Sequence, residues 1–97
     1  MEKIGYYRKS GELFLQNLSL KKLVDHYGTP MFVYDSNLFK NSFNMLKKIL
    51  DPLNGKIHFA VKSNDNLGVI KYISSLGAGA DVVSIGELKR CLKVSVQ

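Results

Sequence analysis

The residue best suited to chemistry in this sequence is Lys62, which follows four strand-forming residues in the stretch "HFAVKSN" (58–64). When apolar surroundings desolvate a lysine, its pKa falls and the neutral amine becomes a nucleophile that attacks carbonyl carbon. The alternative is a lysine whose aliphatic stem covers apolar surface while its ammonium group stays in water. The residues alone leave both interpretations open.

Two acidic residues further along the chain are the next candidates. Asp81 lies within the apolar run 80–83, where a carboxylate needs either water or a partner such as Lys62 on a neighbouring strand. Glu87 follows Ser84 by three residues, which is the S-x-x-E pattern of a helix capping box. We favour capping for Glu87, and a capped helix start can also lie at a functional edge.

The other polar candidates favour structural roles. His58 is typical of a core or cross-strand residue, His26 is expected to be exposed on a helix, and Cys91 shares a helix face with two leucines. No histidine, cysteine or acid has metal-ligand spacing, so we expect no metal site. The GxG at 77–79 precedes a strand and lacks the full dinucleotide-binding fingerprint.

Alternating strands and helices are predicted to position these residues. Residues 57–61 and 80–83 are almost wholly apolar, which is typical of parallel strands buried on both faces. A helix capped by Asp65 or Asn66 is predicted for 66–77 between them, and another begins near residue 85. This β-α-β-α order predicts an α/β fold in which ligands and catalytic groups gather at the carboxyl ends of parallel strands, where Lys62 lies.

The first third of the chain is predicted to contain short strands and one helix. Residues 6–16 suit two strands around a Ser10–Gly11 turn. Residues 20–27 suit a helix that ends at Gly28, and residues 31–35 suit another short strand.

The clearest helix of the sequence begins at Asp35 or Ser36 and ends before Asp51–Pro52. Its apolar residues recur at helical spacing and are expected to share one face: Phe39, Phe43, Leu46 and Leu50. A parallel barrel takes about 250 residues, so we expect this chain to be the front part of a larger protein.

Composition limits the classes of function. The 97 residues are 45% hydrophobic and 23% charged, as in ordinary globular domains. The sequence contains no apolar run of about 20 residues and does not begin like a signal peptide, so we expect a cytoplasmic protein without a membrane partner. Although the net charge is +6, the lysines are scattered without interleaved aromatics, and we expect no nucleic-acid partner.

Three stretches together resemble one family. "YGTPMFVYD" (27–35) is similar to the "GTPLYVYD" segment of diaminopimelate decarboxylases, and "HFAVKSN" resembles the "YAVKAN" strand of fold-type III pyridoxal-phosphate enzymes. "LGAGADVVSIGEL" (76–88) resembles the decarboxylase stretch "LGAGFDVVSGGEL". The resemblance implies that 35–97 are the first βαβα portion of a TIM-like (β/α) barrel. It also implies that the strands and helix of 1–34 belong to a β-rich second domain.

The same resemblance implies a cofactor, a reaction and roles for individual residues. Lys62 matches the lysine that holds pyridoxal 5′-phosphate covalently. Asp81 and Glu87 match acidic positions that orient this lysine, and Ala60 and Asn64 match positions on the pocket floor. The implied reaction converts meso-2,6-diaminopimelate, a small-molecule amino acid, to L-lysine in a homodimer with shared active sites.

Some alternatives remain within and outside this family. Ornithine, arginine and carboxynorspermidine decarboxylases tend to have "FDCAS" at the second strand, and alanine racemase has "AYGHG" where this chain has "NDNLG" (64–68). Ile85 and Ser95 stand where the family usually has glycine. The family's phosphate-binding loops are expected downstream of Gln97, so we expect the chain alone to be inactive. A non-catalytic truncated remnant is the other interpretation.

Overall fold

A computed structural model describes residues 5–96, which form two compact units with a boundary between Phe39 and Lys40. Each unit is built from elements that lie close together in the sequence. The predicted domain boundary between residues 34 and 35 stays a prediction, because compactness does not by itself define the domains of a longer protein.

The first unit contains a small antiparallel sheet and a helix. Its elements are the strands β1 (Tyr6–Lys9), β2 (Glu12–Leu15) and β3 (Leu18–Ser19) and the helix α1 (Leu20–Tyr27). Ser10 and Gly11 form the predicted two-residue turn with φ of 52° and 78°, as hairpins with primed turns require. Gly28, with φ of 80°, donates its amide to Val24 and ends α1 as predicted.

The prediction of a strand at residues 31–35 is wrong. These residues have no regular secondary structure. Their composition suits a strand, but a strand needs a hydrogen-bonded partner, and these residues do not join the sheet of β1, β2 and β3. The two-residue strand β3 was not predicted, because so short a segment has no periodicity.

Asp35 is a buried carboxylate that holds three parts of the first unit together. It is 5% exposed and accepts hydrogen bonds from the Gly5 amide at 2.9 Å, the Gln16 side chain at 2.8 Å and the Asn37 amide at 2.9 Å. Burial raises the pKa of Asp35, but these bonds and the Leu38 amide favour the charged form. The net effect is a pKa below the ordinary range.

Acid is therefore expected to destabilise the first unit through Asp35. Because its folded-state pKa is lowered, the contribution is complete above the ordinary pKa of about 3.9 and is lost as the pH falls through the folded-state pKa. Asp35→Asn is expected to lower the free energy of unfolding by about 1–3 kcal/mol at pH 7, because an amide nitrogen then faces a donor. Urea unfolding at pH 7 and pH 3 measures both effects.

Asp25→Asn is the matched control for this experiment. Asp25 is 63% exposed and forms an i,i+4 ion pair with Lys21, so its loss is expected to change stability by less than about 0.5 kcal/mol. An Asp35→Asn variant with the same acid sensitivity as the unaltered chain would contradict the assignment.

The helix α2 (Ser36–Leu50) contains the boundary between the units and has a narrower packed face than predicted. Phe43 is buried, and Phe39 and Leu50 are half-buried. Leu46, which the spacing assigned to the same face, is 50% exposed. A single-turn 3₁₀ helix (Asp51–Leu53) ends α2 at the predicted Asp51–Pro52.

The second unit has the predicted order of parallel strands and helices. Its later elements are β4 (His58–Ala60), α3 (Leu67–Ser75), β5 (Gly79–Asp81) and α4 (Ile85–Lys93). β4 and β5 pair in parallel, with Phe59 opposite Ala80. His58 lies opposite Gly79, where a Cβ atom would come within 2.6 Å of the His58 ring. The cross-strand prediction for His58 is thereby confirmed, although its side chain is exposed.

Both parallel strands are shorter than predicted. β4 was predicted to run to Val61, but Val61–Ser63 form a single-turn 3₁₀ helix, and β5 ends at Asp81. Val61 is fully buried and packs in a core cluster with Ile70 and Cys91. The burial of Val61 in this cluster explains why residue 61 is apolar although the strand ends at Ala60. The position of Cys91 in the same cluster confirms its predicted packing role.

Candidate active site

Lys62 and Asp81 lie at the same edge of the parallel sheet. Ala60 and Asp81 are opposite each other in the register and are the last residues of β4 and β5. Lys62 follows Ala60 by two residues, in the 3₁₀ turn Val61–Ser63. The carboxyl ends of parallel strands are where functional groups of α/β folds collect, so the sequence correctly predicted which edge carries the amine.

The backbone around Lys62 is fixed while its side chain is exposed. The buried Val61 anchors the turn on one side. On the other side, Ser63 Oγ donates to the Ala60 carbonyl at 2.8 Å, and the Asn64 amide donates to the Val61 carbonyl at 3.0 Å. The chain therefore presents a primary amine from a well-defined turn.

The amine of Lys62 and the carboxylate of Asp81 do not form an ion pair. The cations that pair with carboxylates in residues 5–96 are Lys21, Lys47 and Arg90. Asp81 is exposed, so the alternative in which water solvates its carboxylate describes this structure. Within the described residues, neither side chain forms a hydrogen bond or an ion pair.

Asn64 and Asn66 shape the loop after Lys62. The Asn64 side-chain oxygen accepts a hydrogen bond from the Asn66 amide at 3.1 Å. Asn66 Oδ1 in turn accepts from the Val69 amide at 3.1 Å and caps α3, so Asn66, not Asp65, is the cap. The cofactor contacts of Asn64 and of the half-buried Ala60 stay predictions.

Ser84 caps α4 as predicted, and Glu87 completes a variant of the predicted capping box by bonding the amide before the cap. The Glu87 amide donates to Ser84 Oγ at 3.1 Å, and Glu87 Oε1 accepts from the Val83 amide at 3.2 Å. The carboxylate of Glu87 is thereby held against the backbone that follows β5. This placement brings Glu87 to the same edge as Asp81 and leaves its catalytic role a prediction.

The variants Glu87→Gln and Glu87→Ala are expected to distinguish the capping hydrogen bond of Glu87 from the effect of its charge. The side-chain oxygen of Glu87→Gln can still accept from the Val83 amide, so this change is expected to alter stability by less than about 0.5 kcal/mol. Glu87→Ala loses that acceptor and is expected to cost about 1 kcal/mol. Urea unfolding checks both values, and equal losses in the two variants would contradict capping by the side chain.

Sequence reasoning missed the contact between Arg90 and Asp65. The guanidinium Nη1 donates to the Asp65 carbonyl at 3.2 Å, and Nε lies 3.8 Å from the Asp65 carboxylate. The two residues are 25 positions apart. No local pattern indicates such a pair, because only the packing of α4 beside the loop brings them together.

The described part of the chain contains neither a cluster of metal ligands nor a membrane-spanning helix. Among residues 5–96, no three histidine, cysteine, aspartate or glutamate side chains are grouped so that they could hold a metal ion. In the same residues, no helix has the length and apolar character needed to cross a bilayer.

The part of the chain that carries Lys62 matches a known protein family. The family model described as "Pyridoxal-dependent decarboxylase, pyridoxal binding domain" matches residues 37–97. The chain belongs to the pyridoxal-dependent decarboxylases. This match confirms the predicted family and, through its pyridoxal-binding description, the predicted cofactor.

Curated relatives of this pyridoxal-dependent decarboxylase chain include two named diaminopimelate decarboxylases. The protein from Aquifex aeolicus is 44% identical over 91% of this chain, and the protein from Vibrio cholerae is 37% identical over 89% of it. The chain spans about a fifth of the length of these relatives.

Solved structures confirm the predicted fold class. A crystal structure from Aquifex aeolicus superimposes with a TM-score of 0.87 and 41% identity, and it covers 94% of this chain. A diaminopimelate decarboxylase from M. jannaschi superimposes with a TM-score of 0.86 and 28% identity. The chain covers 22% of each of these structures, so it corresponds to a fragment of their fold.

Proposed function

We propose that this chain is the part of a pyridoxal-phosphate-dependent carboxy-lyase that supplies the cofactor lysine, and that Lys62 is this lysine. The observation that carries the proposal is the position of Lys62, whose exposed amine follows a parallel strand inside the region matched by the pyridoxal binding domain. Because an aldehyde cofactor needs a primary amine, the donor at this edge fits the group.

Lys62 would act through Nζ alone. When bound, pyridoxal phosphate supplies an electron sink for the electrons left behind as a carboxylate departs as carbon dioxide. Lys62 Nζ would hold the cofactor covalently. The same amine would carry the proton that is returned to the substrate carbon. The 3₁₀ turn holds its backbone in place meanwhile.

The acidic residues are proposed to support Lys62 electrostatically. Asp81 ends the neighbouring strand and is not bound to a cation within residues 5–96, so its charge is free to orient the ammonium form. Glu87 is held by backbone at the same edge. Ala60 and Asn64 are proposed to line the pocket floor.

The proposed substrate is meso-2,6-diaminopimelate, with L-lysine as the product, because curated relatives that are 44% and 37% identical to this chain are named diaminopimelate decarboxylase. Ornithine, arginine and carboxynorspermidine are the rival substrates. The proposal includes a cytoplasmic homodimer with shared active sites that binds no nucleic acid. Because relatives about five times longer carry the named activity, the chain alone is proposed to be inactive.

A fusion protein tests this proposal directly. We would join this chain to the remaining four-fifths of the Aquifex aeolicus relative, replacing that protein's own matching segment. With pyridoxal phosphate, this fusion enzyme is expected to release carbon dioxide from meso-diaminopimelate at least about tenfold faster than from ornithine or arginine. The chain by itself is expected to release none.

Three outcomes would change the proposal. A fusion enzyme without activity on any substrate, beside an active Aquifex aeolicus control, would favour a non-catalytic remnant. Preference for ornithine or arginine would move the activity to a rival decarboxylase. Turnover by the chain alone would show that the fragment contains a complete site.

A further inference from the structure

The Arg90–Asp65 contact joins the loop after Lys62 to the helix that carries Glu87. Arg90 approaches both the main-chain carbonyl of Asp65, at 3.2 Å, and its carboxylate, at 3.8 Å. A guanidinium group can engage two acceptors at once because its donors form a planar fork. A lysine at this position could not reproduce both contacts.

The loop has few other connections to α4. Within the described part of the chain, the remaining hydrogen bonds of residues 63–66 stay inside residues 60–70. The side chains of Arg90 and Asp65 are 47% and 66% exposed. A pair this exposed adds little to overall stability, so its effect is expected at the loop itself and not across the second unit.

We propose that Arg90 is a positioning residue for Lys62. By holding Asp65, it fixes the segment directly after the Lys62 turn against α4, whose first turn holds the Glu87 carboxylate. The amine of Lys62 and the carboxylates of Asp81 and Glu87 then keep a constant separation while ligand binds and leaves. This inference rests on the proposed role of Lys62 as the cofactor lysine.

Amide hydrogen exchange of the 97-residue chain tests the positioning step without any cofactor. Arg90→Met is expected to speed exchange at the amides of Asn64 and Asn66 about threefold to fivefold, the factor given by a contact worth up to about 1 kcal/mol. The amide of Ile73, further inside α3, is expected to exchange at an unchanged rate. Lys89→Met, on the same helix, is the control and is expected to change neither.

Covalent labelling tests the consequence for Lys62. The chain is treated with pyridoxal phosphate and borohydride, and label at Lys62 is counted against label at Lys71 by mass spectrometry. Arg90→Met is expected to lower the Lys62 share about threefold to fivefold, and Arg90→Lys to restore part of it. If Arg90→Met does not fold, Asp65→Ala removes the carboxylate contact with α4 unaltered, and it is expected to lower the Lys62 share by a smaller factor because the hydrogen bond to the main-chain carbonyl of residue 65 remains.

The outcomes separate this inference from the proposed function. Unchanged exchange at Asn64 and Asn66 in Arg90→Met overturns positioning by Arg90, even if Lys62 is labelled preferentially. Faster exchange throughout the second unit, Ile73 included, also overturns it, because Arg90 would then act on overall stability. Labelling of the unaltered chain without preference for Lys62 instead counts against Lys62 as the cofactor lysine.

Discussion

Lys62→Ala is expected to abolish decarboxylation by the fusion enzyme, with a loss of at least about a thousandfold. The reason is chemical, because alanine has no amine with which to hold the cofactor or return a proton. The absorbance band of protein-bound pyridoxal phosphate is expected to disappear in the same variant. Carbon dioxide release and the visible spectrum measure the two effects.

Arginine at the same position separates nucleophilic from electrostatic roles. Lys62→Arg keeps the positive charge, but a guanidinium group stays protonated and does not act as a nucleophile. It is therefore expected to be as inactive as Lys62→Ala. Lys71→Ala, at an exposed lysine of α3, is the matched control and is expected to retain activity. Substantial activity in Lys62→Arg would show that Lys62 acts through its charge.

The order of the parallel elements could be predicted because its signals are local. Apolar strand residues, the Asn66 cap and the glycine after α3 each act within a few positions, and together they gave β4, α3, β5 and α4 in the right order. Strand ends could not be predicted from the same signals. Val61 was assigned to the strand because an apolar residue indicates burial. Val61 is fully buried, but it lies in a 3₁₀ turn.

Long-range contacts set the limit of the prediction. Residues 31–35 have strand composition, yet they do not pair with any strand of the first unit. Likewise, parallel pairing predicted that Lys62 and Asp81 share an edge, but side-chain geometry decides that they do not pair. Pattern alone left Lys62 with two interpretations, and the motifs before and after it favoured the chemical one.

Ile70→Ala is expected to be the most destabilising single change in the second unit. Ile70 is 2% exposed and packs in one cluster with Val61 and Cys91. Truncation leaves a cavity that the surrounding elements cannot fill, and such changes cost about 2–5 kcal/mol. Since small domains are stable by only about 5–15 kcal/mol, urea unfolding is expected to show a much lower midpoint.

The effect of Ile70→Ala is expected to extend to Lys62. The reason is that Val61 packs with Ile70 in the core and directly precedes Lys62. Ile70→Val, which removes one methylene group, is expected to cost about 1 kcal/mol and to leave labelling of Lys62 unchanged. Leu92→Ala, at a side chain that is 64% exposed, is the control and is expected to change stability by less than about 0.5 kcal/mol. If Ile70→Ala costs no more than Leu92→Ala, the core cluster does not support the turn that presents Lys62.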